Sequence, residues 1–383
     1  MIHVPPLEDQ RTGLERMSNL RRTTGSALRR AGRAAVLGAL LLALLAPIGL
    51  SAASAAPARV NSAHVVIPLY KGAYLGLFRP PVPIGFSELS AYSRSVHKSP
   101  AIVMWYQPWI TTGYGQFKTD EIKSLLRLGV IPLITWEPWD PGANVGNLAN
   151  QPAYKLQAII DGKWDGYIRR WAQGAKAVHG PVMIRPFHEM NGYWYPWSGF
   201  TNSNTPALFR KAWIRVWTIF KNEGATNVTW VWSVNWASSP NTYENRWAVY
   251  YPGAAYVNWT AISGFNWGTS RPGSRNMSFE DIYSKPLAYL RTLKKPIMIA
   301  EMACTTQGVN KPSWIATTYH RIRFHHPEIK AVVYYDHNET NSLGTQYWRI
   351  ASTSASLWAF RDAINNSWFA SSWGGSLLAT GTP

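Results

Sequence analysis

A chain of 383 residues with one cysteine, Cys304, can form no internal disulfide. Its stability has to come from core packing. No His and Asn set is spaced around Cys304 as in a cysteine protease, so a buried structural thiol is expected there. Acids are scarce as well, 20 Asp and Glu against 38 Lys and Arg. The basic side chains are scattered and build no recognisable nucleic-acid module, so the charge points to solubility and adhesion to acidic wall polymers. A Gly-x-Ser-x-Gly elbow is missing, which leaves a serine hydrolase without an anchor. No glycine-rich phosphate fingerprint follows the first strand-like run, which disfavours a dinucleotide fold. His320, His325 and His326 cluster without zinc spacing, and a solvated helix end is the expectation. Neither a metal nor a cofactor is expected.

Long apolar runs are rare too, and the one at 34–50 is preceded by seven arginines and followed by the small residues 51–56. Basic, apolar, then small is the order of a secretory signal peptide. The run is short against the roughly 20 residues of a bilayer span, and Pro47 and Gly49 weaken its end. A single membrane anchor is the rival reading, Arg21-Arg22 is a weak hint of twin-arginine export, and Met17 is an alternative start. We therefore expect a secreted protein without stable membrane insertion, cut near Ala56. Residues 57–366 are read as one domain, acting as a monomer, and 367–383 as a tail in which Trp368 and Trp373 could dock.

Beyond the leader, apolar β-rich runs recur at 73–78, 101–107, 130–136, 182–187, 228–235, 261–267, 297–303 and 329–335. Helical periodicity appears between most of them, at 119–128, 166–177, 206–222, 279–293, 313–324 and 354–364. Near-continuous apolar strands alternating with helices imply a parallel sheet covered on both faces. Eight of them favour a closed (β/α)8 barrel, the TIM barrel, over an open sheet.

Barrel enzymes carry their chemistry at the C-terminal ends of strands. The fourth run ends Arg185-Pro-Phe-His-Glu189 and the seventh ends Ala300-Glu301. Alternation places Arg185, Phe187 and Glu189 on one face, and Ile297, Ile299 and Glu301 on another. Two carboxyls on strand tips across a barrel, one acid/base and one nucleophile, suit glycoside hydrolysis. Arg185 is placed beneath them, where its charge would hold the nucleophile ionised; a purely structural arginine is the alternative. His188 either tunes Glu189 or is a satisfied core residue. Glu137, Asp140 and Asp336 bind sugar hydroxyls or serve structure. Among 21 tryptophans, Trp136, Trp194, Trp197, Trp236 and Trp267 fall at strand ends, where flat rings can serve as sugar platforms.

The run Arg185-Pro-Phe-His-Glu-Met-Asn-Gly-Tyr-Trp-Tyr-Pro-Trp197 resembles the acid/base motif of glycoside hydrolase family 26, the β-mannanase family. Thr135-Trp-Glu-Pro138 and Lys295-Pro-Ile-Met-Ile-Ala-Glu301 look like its third and seventh strands, and 348–350 with 359–361 like its closing segment. The resemblance covers about residues 70–366. It implies a retaining (β/α)8 hydrolase cutting internal β-1,4 bonds of mannans, with mixed-linkage β-glucan and xylan as other family substrates. It assigns Glu189 as acid/base and Glu301 as nucleophile, lines the cleft with His188, Trp194 and Trp197, and implies no cofactor. Two departures stand out. A family tyrosine that bonds the nucleophile from strand six is replaced by Phe265 or Trp267, and a strand-eight tryptophan platform by Tyr334. A carbohydrate-binding barrel without catalysis is the alternative that Phe265 favours.

Overall fold

The computed structural model describes residues 72–81, 85–110, 113–143, 147–341 and 344–373; the leader at 1–56 lies outside them. The eight apolar runs become β1 (Ala73–Phe78), β2 (Ile102–Pro108), β3 (Ile131–Glu137), β4 (Val182–Pro186), β5 (Val228–Asn235), β6 (Trp259–Asn266), β7 (Ile297–Cys304) and β8 (Ile329–Tyr335). They pair in parallel in chain order, and β1 pairs with β8 from Tyr74↔Ala331 to Phe78↔Tyr335, which closes the barrel. The fold is the (β/α)8 barrel expected from the alternation.

The helices on the outside are α1 (Phe86–Val96), α2 (Thr119–Arg127), α3 (Leu156–Ile160), α4 (Asp165–Ala177), α5 (Pro206–Asn222), α6 (Phe279–Thr292), α7 (Lys311–His325) and α8 (Ser354–Ile364). Local chemistry fixes where several begin. Thr205 caps α5 by accepting from the Leu208 amide, with Pro206 at the first turn. Ser278 and Asp281 form a reciprocal capping box at α6. The short α1 and α3 were not anticipated; α1 buries only Leu89, Tyr92 and Val96, a narrow stripe within a serine-rich segment. Between β5 and β6 three single 3-10 turns (Tyr243–Asn245, Trp247–Tyr250, Ala254–Tyr256) replace a helix, in keeping with the absence of helical period there.

Past α8, Phe369–Ala370 forms a short ninth strand that pairs with the outer edge of β1 at Ala73 and Tyr74, while the Trp373 amide donates to the Gly129 carbonyl. Part of the predicted tail is thus docked on the barrel. An aromatic belt fills the space between strands and helices, with Trp105, Trp109, Trp136, Trp171, Trp213 and Trp259 all fully buried. Cys304 is buried, and burial pushes its thiol up to about 12, so it stays protonated and packs as a small apolar group.

Candidate active site

Arg185, near the C-terminal end of β4, is completely buried and reaches across the barrel mouth. Its Nε and Nη2 donate to Thr135 Oγ1 of β3 at 2.9 and 2.7 Å, and Nη1 lies 3.4 Å from Ser233 Oγ of β5 and 3.3 Å from Ser263 Oγ of β6. Its Nη2 also pairs with Glu301 Oε1 of β7 at 2.6 Å. One guanidinium therefore ties five strands to one carboxylate. A fork with several fixed donors is what arginine supplies and lysine does not.

Glu301 accepts from two further groups, Ser263 Oγ at 3.1 Å and Tyr106 Oη of β2 at 2.5 Å. A cation and two hydroxyls converging on one buried carboxylate form a preorganised cradle for a nucleophile. The position of Glu301 depends on a bulge. Between Ile299 and Met302, β7 carries one residue more than β8 between Val332 and Tyr334, and its register against β6 shifts at the same place. Such an insertion turns a side chain out of the regular alternation.

Glu189 follows β4 on a turn in which Phe187 and Glu189 have φ of 52° and 53°. The turn is held by the Glu189 amide donating to Ser233 O at 3.0 Å. It is also held by the buried Asn191, whose Oδ1 accepts from the Asn235 amide and whose Nδ2 donates to Asn235 O. Because Phe187 is left-handed, it does not share a face with Arg185 and Glu189. It packs outward between Trp109, Phe209 and Trp213, which corrects the simple alternation. Glu189 is partly open to the cleft, and Trp194 Nε1 donates to its Oε2 at 2.9 Å. Burial, then the charge of Glu301, push the Glu189 carboxyl above its usual range, against the pull of Arg185 and of the Trp194 hydrogen bond. One carboxyl that keeps its proton beside one cradled by donors is the division of labour that acid/base and nucleophile require.

The remaining expected site residues divide. His188 is 1 % exposed, its Nε2 lies 3.1 Å from Tyr195 Oη, and burial with the charge of Arg185 keeps its ring neutral. It lies beneath the cleft rather than lining it. Trp197 is fully buried, stacked 4.3 Å from Tyr195, and donates to His188 O; it braces the floor, and its buried faces correct the platform expectation. Trp136 is likewise removed from the cleft: its ring lies 4.5 Å from those of Trp109 and Trp171 in the outer belt. Tyr334 points outward too, 5.5 Å from Phe360 of α8. The adjacent Tyr335 is the β8 ring on the site's side, stacked on Phe78 and edge-on to Phe265. The Trp136 and Tyr334 corrections have one cause, since neighbouring residues of a strand face opposite sides. Trp194, Trp236 and Trp267 remain part-exposed, with the Arg271 guanidinium lying on the Trp267 ring. Asp336 is structural, bound to Arg79 at 3.1 Å and to the Ile350 amide. Among the described residues no group of three or more His, Cys, Asp or Glu is placed to hold a metal ion.

Tyr106, Thr135, Ser233 and Ser263 were not singled out in the sequence. Phe265 lies half-buried at β6, and the tyrosine hydroxyl on Glu301 comes from Tyr106 on the other side of the barrel, beside the Ser263 hydroxyl of β6. Tyr106→Phe is expected to lower kcat about 10- to 100-fold with little change in KM, the worth of one hydrogen bond to a charged group. Unchanged kcat would mean that the hydroxyl is idle. Trp136→Ala should cost about 3–5 kcal/mol in denaturant unfolding and leave KM of the folded protein alone. A raised KM at wild-type stability would return that ring to the cleft.

Comparison with known proteins agrees with this geometry. Residues 99–326 match glycosyl hydrolase family 26. Endoglucanase H of Acetivibrio thermocellus is 38% identical over 239 residues, 62% of this chain and 24% of that protein. The chain thus spans about a quarter of that relative's length. A mannan endo-1,4-beta-mannosidase of Bacillus subtilis strain 168 is 24% identical over 244 residues, covering 57% of this chain and 62% of the relative. In fold, the chain is similar to the Bacillus subtilis mannanase man26, with a TM-score of 0.58 at 17% identity over 82% of this chain and 91% of the other. With a family match over more than half its length and a barrel carrying two glutamates at its mouth, the chain belongs to glycosyl hydrolase family 26.

Proposed function

We propose that the chain is an exported, monomeric, retaining endo-β-1,4-glycanase. In the first step Glu189 donates its proton to the glycosidic oxygen while a Glu301 carboxylate oxygen attacks the anomeric carbon. The leaving-group bond breaks and a glycosyl–enzyme ester forms. Glu189, now a carboxylate, then takes a proton from water, which attacks the same carbon and releases Glu301. The observation that carries this reading is the contrast between the two carboxyls: Glu301 sits in a cradle of Arg185, Tyr106 and Ser263. Burial, then the charge of Glu301, push the Glu189 carboxyl above its usual range. The export reading rests on the leader's basic, apolar and small-residue order.

For the substrate we favour a glucose-based backbone, β-1,4- or mixed-linkage β-glucan, because the greater identity is to a protein named as an endoglucanase. Phe265, where the family resemblance leads one to expect a tyrosine on β6, supports a preference other than mannose. β-1,4-Mannan is the second reading, carried by the curated relatives and solved structures named as mannanases. Reducing-sugar release on mixed-linkage β-glucan, glucomannan, galactomannan and xylan in parallel separates them. Cleavage of β-glucan with galactomannan intact supports the first, the reverse pattern the second, and inactivity of the folded chain on all four would refute both.

A further inference from the structure

Behind Glu189 lies a set of buried polar groups that the two-carboxylate scheme leaves unused. Glu137 ends β3 and is 1 % exposed. Its Oε2 accepts from Trp139 Nε1 at 3.2 Å, but its Oε1 has no hydrogen-bond partner. That oxygen faces His188 Nδ1 at 3.9 Å, and Nδ1 also has no partner. The other ring nitrogen of His188 meets Tyr195 Oη at 3.1 Å, and the Trp194 beside Tyr195 bonds Glu189. Two facing polar atoms left unpaired in a packed interior call for a reason beyond packing.

Taking Glu189 as the acid/base, as above, we propose that Glu137 is a third working carboxyl: a positioning residue that shares a proton with His188 Nδ1 and thereby governs how firmly Glu189 holds its own. The charged and titratable groups that face Glu137 are Arg185 of β4, His188, Glu189 and Tyr195 of the connection after it, and Glu301 of β7. Burial, then the charges of Glu301 and Glu189, push the Glu137 carboxyl up to about 8, against Trp139 and Arg185. His188 is neutral for the reasons given above. With both groups uncharged, the Glu137 O–H can point to the Nδ1 lone pair, and the ring then donates from Nε2 to Tyr195 Oη. When Glu137 gives its proton to solvent, the ring proton moves to Nδ1 to face the new carboxylate, and Nε2 accepts from the Tyr195 O–H. A negative charge now stands close to Glu189, and that charge opposes ionisation of Glu189. In the intact enzyme the proton on Glu189 therefore survives to higher pH than it would alone.

The test is the pH profile of kcat/KM for Glu137→Gln, whose alkaline limb reports loss of the proton from the free enzyme's acid. Glutamine keeps the shape and the acceptor for Trp139 but never ionises. The limb is expected to move to lower pH by about half a unit or more, with kcat at the optimum down by up to about tenfold. Glu137→Asp, which keeps the charge, should return the limb toward the wild-type position. A Glu137→Gln profile that superimposes on wild type after scaling overturns the proposal and leaves Glu137 a packing residue. Should Glu137→Gln not fold, the infrared spectrum of the Glu189→Gln chain decides. A protonated-carboxyl band persisting at pH 7 and lost toward pH 9 supports the proposal, and its absence overturns it. The rate of Glu189→Gln is read in parallel: wild-type activity there would refute the acid/base assignment itself, independently of where the Glu137→Gln limb falls.

Discussion

Glu301→Ala is expected to lower kcat by about 10^4-fold or more, and Glu189→Ala by about 10^3-fold, the scale on which lost nucleophiles and general acids are felt. The two losses should be distinguishable. Without Glu301 no glycosyl–enzyme forms, so added azide can attack the sugar directly and yield an α-glycosyl azide of inverted configuration. Without Glu189 the ester still forms from a substrate with a good leaving group, and azide intercepts it to give the β-glycosyl azide. Substrates whose leaving group needs no proton should recover most of the kcat/KM of Glu189→Ala, which reports the first step alone, and none of that of Glu301→Ala. Exchanged azide products would reverse the assignment, and wild-type rates for either variant would remove that residue from the reaction.

Arg185→Met should lower stability and activity together. The guanidinium is wholly buried, pairs with Glu301 at 2.6 Å and serves hydroxyls on three other strands. Removing it leaves the Glu301 carboxylate in the interior without its cation, a loss of about 3–5 kcal/mol. For a domain of this size that corresponds to a fall in Tm on the order of 10 °C. Activity should fall with it, since the nucleophile loses both its charge partner and its anchor. The cause can be isolated by adding Glu301→Gln to Arg185→Met, which removes the stranded charge. The double variant should be more stable than Arg185→Met alone, a non-additivity expected of two groups in direct contact. Wild-type stability for Arg185→Met, or simple additivity in the double variant, would contradict the role given to this pair.

The barrel was legible in the sequence because its signals are redundant. Each strand run and each of the six periodic helices falls within two residues of where the alternation placed it. Loop chemistry such as Thr205-Pro206 marked a helix start that the structure reproduces. At the site, what resisted reading was the backbone. Alternation leads to Glu189 only by treating residues 185–189 as regular strand, whereas the strand ends at Pro186 and the chain reaches Glu189 through left-handed residues. Glu301 similarly lies within a bulge that no period reveals. Strand parity also separates neighbouring side chains. Trp136 and Glu137 are neighbours on β3, so they cannot both face the cleft, and the same holds for Tyr334 and Tyr335 on β8. Tyr106 left a weaker mark, a polar-tipped ring two residues from the end of an apolar strand. Its reach to Glu301, 195 positions away in the chain, exists only once β1 pairs with β8 and the barrel closes.

A double displacement through Glu301 fixes the anomeric configuration of the first product. Cleavage of the preferred β-linked oligosaccharide, followed by proton NMR before mutarotation, should show the β-anomer appearing first and the α-anomer growing in later. An α-anomer at the outset would mean single displacement by water, and would contradict the assignment of Glu301 as nucleophile.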